Sequence, residues 1–106
     1  MKLDTNTAIT TLAGEPIKAT ADTILTVGAV CIEALLASHE DDKAVSGDEK
    51  LKRYRLASRI SKNAVVGLSS EDVVLVKYLI ARAYGPLVVG QTWELLEGER
   101  AVAPVE

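Results

Sequence analysis

Apolar and polar positions along the chain mark out one short extended region followed by four helical stretches. Thr7 to Leu12 is rich in β-branched residues, Ala13-Gly14 supplies turn chemistry, and Pro16 to Ala19 makes a short return. That pattern predicts a β-hairpin over residues 7–19. Pro16 has no N–H to donate and belongs at a strand start or an edge. An isolated hairpin is marginal in water, so this one must lie on the helices or pair with another chain. From Thr26 to Ser38, the residues Val27, Val30, Cys31, Ala34 and Leu35 keep helical i, i+3, i+4 spacing, Ile32 and Leu36 widen the stripe, and only Glu33 is charged. A helix this apolar is central in the fold or lies in an oligomer interface.

Residues 39–47 read as a polar, solvated loop. Ser46-Gly47-Asp48-Glu49 then forms a capping box, opening a second helix that reaches about Ser61. Ser69-Ser70-Glu71-Asp72 is another such box, with Leu68 and Val73 placed as a hydrophobic staple, and its helix runs through Tyr84. Gly85 suits the position after a helix, and Pro86 either stops the third helix or opens a fourth that reaches Glu97, with Gly98 as its stop. The expected fold is mainly α: one small domain over residues 1–98, about four helices with a short N-terminal hairpin at 7–19, and a loose C-terminal tail over 99–106. No internal repeat is apparent. Gly28 and Gly90 fall inside the expected helices, where each marks either a close backbone approach or a misplaced boundary.

The chain has 106 residues, 48% of them hydrophobic and 25% charged, which is globular composition and enough for one modest core. With Trp93, Tyr54, Tyr78 and Tyr84 as the aromatics and no Phe, that core is aliphatic. A formal charge of −3 excludes a globally basic nucleic-acid binder but not a local patch. The single cysteine cannot form an internal disulfide, which fits a reducing compartment. The first residues lack the apolar region of a signal peptide. Ile24 to Ala37, interrupted by Glu33, falls short of the ~20 residues of a membrane span. These features predict a cytoplasmic protein without a membrane partner.

Two segments, Leu3-Asp4-Thr5-Asn6-Thr7-Ala8-Ile9-Thr10-Thr11-Leu12-Ala13-Gly14-Glu15-Pro16-Ile17 and Tyr84-Gly85-Pro86-Leu87-Val88-Val89-Gly90-Gln91-Thr92-Trp93-Glu94-Leu95-Leu96-Glu97, together resemble small, functionally unassigned proteins of tailed phages and prophages. The shared layout covers most of the chain: the hairpin phrase, a helical middle and the Pro-Leu-Val-Val-Gly-Gln close. The resemblance implies a phage origin, hence the host cytoplasm or a virion component. It implies no reaction and assigns no functional residue.

The most informative chemistry is a charge block. Lys50, Lys52, Arg53, Arg55, Arg59 and Lys62 are half of the 12 basic residues, and no acid occurs between Glu49 and Glu71. At 100° per residue Lys52, Arg55, Arg59 and Lys62 share one helix face, with Tyr54, Ala57 and Ile60 roughly opposite. The stripe suits an acidic protein surface or phosphates, or else is a solvated face paired with nearby acids. A helix-turn-helix reading fails because Val73 to Ile80 is almost wholly apolar. Single-strand binding wants aromatics beside the cations, and Tyr54 is expected on the core side.

His39-Glu40-Asp41-Asp42 lacks the order of a calcium loop, Cys31 sits in an apolar stripe, and no P-loop, G-x-G-x-x-G or G-x-S-x-G occurs. No cofactor, metal or catalytic residue is therefore expected. Trp93 is either a core anchor or an interface anchor. The leading expectation is a non-catalytic interaction protein, an adaptor or inhibitor, with a protein partner, self-association or both. The alternative is a nucleic-acid or nucleotide-binding module using Lys52, Arg55, Arg59 and Lys62.

Overall fold

Each helix begins where a capping side chain or a proline sets it. In this computed structural model, which describes residues 1–39 and 44–97, they are α1 (Val27–Leu36), α2 (Gly47–Lys62), α3 (Ser70–Ala83) and α4 (Pro86–Glu97). The expected tail over 99–106, the Gly98 stop and most of the acidic loop lie outside the described residues. Thr26 Oγ1 accepts from the Ala29 N–H at 3.2 Å, opening α1. Ser46 Oγ accepts from the Glu49 N–H at 3.1 Å, opening α2. At α3 the box closes in both directions: Ser69 Oγ accepts from the Asp72 N–H and Asp72 Oδ2 accepts from the Ser69 N–H, each at 3.0 Å. Pro86 is the first residue of α4, where its missing N–H costs no helix bond.

α1 packs against both α2 and α3, and α4 packs on α3. The apolar first helix is thus central. Val27, Val30, Cys31 and Ala34 are fully buried and meet Leu56 and Ile60 of α2 and Val76, Leu79 and Ile80 of α3 in an aliphatic core.

One expected orientation is corrected. Tyr54 is 60% exposed, and the buried row of α2 is Arg53, Leu56, Ala57 and Ile60. Leu56 completes the inward row with Ala57 and Ile60. Tyr54 lies about 100° around the helix from Arg53, which carries it outward.

The N-terminal region is richer than a hairpin. Thr10 bridges Pro16, and Gly14 turns the chain with φ +92°, which glycine adopts without strain. A third segment joins these two, with Lys18 bridging Ile24 and Ala8 bridging Thr26. The Ile9 N–H donates to Leu25 O at 2.9 Å, the Leu25 N–H to Ile17 O at 2.7 Å and the Ile17 N–H to Ile9 O at 2.9 Å. The three segments therefore close into a ring of hydrogen bonds. Ile9, Ile17 and Leu25 recur at a fixed spacing of eight residues, a repeat that neither helical nor strand periodicity reveals. The ring forms within one chain, so the hairpin needs no exchange with another.

Two short strands tie the chain start to the α2–α3 connection. β1 (Lys2–Asp4) runs antiparallel to β2 (Val65–Gly67), with Leu3 opposite Val66 and both buried. Next to this pair the Gly28 N–H donates to Thr5 O at 3.0 Å. A Cβ on Gly28 would lie 2.8 Å from both Thr5 Cβ and Thr5 O, so Gly28 marks a close approach of α1 to the N-terminal segment. Around Gly90 there is open space.

Candidate docking surface on α2

α2 carries six basic side chains against two acidic ones, Asp48 and Glu49. Arg53, at the inner edge, is buried and pairs with Glu49 at 3.7 Å, one helical turn away. Lys52, Arg55, Arg59 and Lys62 are all exposed. The structure brings them to one side of the helix but divides them by what they touch.

Arg59 is bound on both sides. Its guanidinium donates to Gly67 O at 2.8 Å and to Asp72 Oδ2 at 3.0 Å. It thereby locks α2 to β2 and to the cap of α3. Partial burial pushes the Asp72 carboxyl up, but the Ser69 N–H, the Arg59 guanidinium and the Ser69 hydroxyl outweigh it and hold the group below its ordinary value. Arg59 is thus first a structural clamp. Lys52, Arg55 and Lys62 form no ion pair or hydrogen bond with the described residues. Lys52, Arg55 and Arg59 border a shallow groove with Leu51, Asp48 and Asp72. Leu51, 43% exposed, lies at the edge of the cationic stripe, and Tyr54 is exposed on the same helix. The surface is cationic with two exposed apolar side chains beside it.

Trp93 is half-buried and braced against α3, outside the aliphatic core. Its indole N–H donates to Lys77 O at 3.2 Å, and the Lys77 ammonium lies 4.6 Å from the ring centroid while pairing with Glu97 at 3.0 Å. These contacts fasten α4 to α3 through the rim of the core. Cys31 is fully buried, and desolvation pushes its thiol up to about 12, which suppresses the thiolate needed of a nucleophile. His39 has its Nε2 at 3.1 Å from Ala34 O, at the end of α1. Among the described residues no cluster of three His, Cys, Asp or Glu is placed to hold a metal ion, and no helix is long and apolar enough to cross a membrane.

Segments 3–17 and 84–97 meet in space. The Gln91 side-chain amide of α4 brackets Thr10, accepting from its N–H at 2.9 Å and donating to its carbonyl. Thr11 and Leu12 of the turn and Pro86, Leu87, Gly90 and Glu94 of α4 line a groove beside that bracket. The local pattern of neither segment shows that Gln91 joins them. A glutamine at the Pro-Leu-Val-Val-Gly-Gln close, facing a strand edge in need of a partner, was the available signal. Compared with known families, curated proteins and solved structures, the chain matches none.

Proposed function

We propose that the protein is a small, non-catalytic interaction module, an adaptor or inhibitor, that docks an acidic protein surface on the outer face of α2. The carrying observation is the set Lys52, Arg55 and Lys62, unpaired among the described residues, with Leu51 and Tyr54 exposed beside them. Cations steer an acidic partner and fix its register, while exposed apolar side chains supply area to bury. Phage origin, carried by the resemblance above, belongs to the same reading, with the host cytoplasm as the place of action and the virion as the alternative.

A second reading is favoured by one observation. Tyr54 points outward, so an aromatic surface is available for stacking on the cationic helix, as single-stranded nucleic acid requires. Fluorescence anisotropy with labelled polyglutamate and labelled oligothymidylate separates the two. Docking of acidic protein predicts polyglutamate binding that weakens with salt and disappears in Lys52→Glu/Arg55→Glu/Lys62→Glu. Tighter binding of oligothymidylate, lost in the same variant, would install the second reading. Binding of either probe unchanged by the triple replacement would remove α2 as the site.

A further inference from the structure

The outer face of α3 is a separate feature from the α2 surface. Val74 is 68% exposed and Tyr78 50% exposed, although the helix is otherwise anchored in the core by Val76, Leu79 and Ile80. With Leu75, Ser70 and Glu71 they line a shallow, almost wholly apolar depression. Glu71, Leu75, Tyr78 and Arg82 follow one another at steps of four, three and four residues, the spacing of a straight helix–helix seam. An acid therefore stands at the N-terminal end of the seam, a base at its C-terminal end, and apolar side chains lie between.

That order makes the face complementary to itself. We propose that it is the seam of a two-fold homodimer, in which α3 packs antiparallel against α3 of a second copy. A two-fold axis between residues 76 and 77 sets Leu75 opposite Tyr78 of the second copy. It also sets Glu71 opposite Arg82 of the second copy at both ends. Each copy offers the same patch, as an isologous interface requires. Arg82 already lies over its own Tyr78, with its guanidinium carbon 5.4 Å from the ring centroid, so the base is poised at the seam. Antiparallel packing also opposes the two helix dipoles. The charge order selects this occupant: a parallel copy would set Glu71 against Glu71 and Arg82 against Arg82, whereas the isologous antiparallel pair sets opposite charges together at both ends.

Sedimentation equilibrium of the full chain tests this, with circular dichroism confirming helicity. The wild type is expected to dimerise. Val74→Asp, at an exposed position, is expected to leave a folded monomer. Glu71→Lys alone and Arg82→Glu alone each juxtapose like charges and are expected to weaken dimerisation about tenfold. An equimolar mixture of these two variants pairs Lys with Glu and Arg with Glu, and is expected to restore association as a heterodimer. A wild type that stays monomeric at millimolar concentration, a Val74→Asp variant that still dimerises, or a mixture no tighter than its components would overturn the proposal. The α2 triple replacement leaves this seam intact, so failure here and failure of docking on α2 read out separately.

Discussion

Gly28 and Gly90 look alike in the sequence, each a glycine within an apolar helix, yet the structure predicts opposite responses. Gly28→Ala drives a methyl to 2.8 Å from the backbone and side chain of Thr5 and strains the Gly28–Thr5 hydrogen bond. Such overpacking costs ~1–3 kcal/mol. Gly90→Ala meets open space and is expected to stabilise by about 1 kcal/mol through helix propensity. Thermal unfolding of the two variants should show the first Tm falling and the second rising by several degrees. Tyr84 makes a second residue-scale test. Its hydroxyl donates to Glu33 Oε1 at 2.7 Å, and burial, reinforced by that carboxylate, raises the phenol above its ordinary value of 10. The fold thus favours the neutral phenol. Its contribution is complete below pH 10 and is lost as pH rises through the higher native value. Urea unfolding should find Tyr84→Phe less stable than wild type by about 1 kcal/mol at neutral pH, with the gap closing above pH 10. The inward and outward faces of α2 were only partly legible at this scale. Ala57 and Ile60 were placed correctly, but a tyrosine reads as core material until Leu56 is seen to fill that row.

At the scale of elements, the caps of α2 and α3 were the most legible features, because Ser46 and Ser69 act on backbone within three residues of themselves. The β1–β2 pair was not. Its strands are three residues each and join Leu3 to Val66, a separation no local pattern carries. The hydrogen-bonded ring is hidden in the sequence for a related reason, since each turn of its repeat contributes one apolar anchor in eight residues. Gln91 closes the ring against α4, and this is testable by hydrogen exchange. Gln91→Leu keeps side-chain bulk but removes the amide that brackets Thr10. The Thr10 amide should then exchange about tenfold faster, matching ~1–1.5 kcal/mol of lost protection, while amides in the middle of α1 stay unchanged. Uniform acceleration along the chain would show instead that the ring and the helices open as one unit.

Across the whole molecule, charge is segregated. The chain is net acidic at −3, yet half of its 12 basic residues lie on α2. Of that group Arg53 is buried, Arg59 is committed to β2 and the α3 cap, and Lys50 lies off the stripe, which leaves Lys52, Arg55 and Lys62 as its outward set. The stripe was visible in the sequence because it needs only helical spacing and a run without acids. The commitment of Arg59 was not visible, because Asp72 and Gly67 reach it through the fold. The α2 face and the α3 seam lie on different helices, so a dimer through α3 would present two cationic surfaces. Capture from a bacterial lysate tests docking on α2 most directly. The immobilised wild-type chain and the Lys52→Glu/Arg55→Glu/Lys62→Glu variant are compared, each with and without nuclease, after circular dichroism shows equal helicity. The expected result is a protein retained stoichiometrically by the wild type in both conditions, released by moderate salt and missing from the variant. The same proteins on both columns, or nucleic acid alone on the wild type, would contradict docking of an acidic protein on α2.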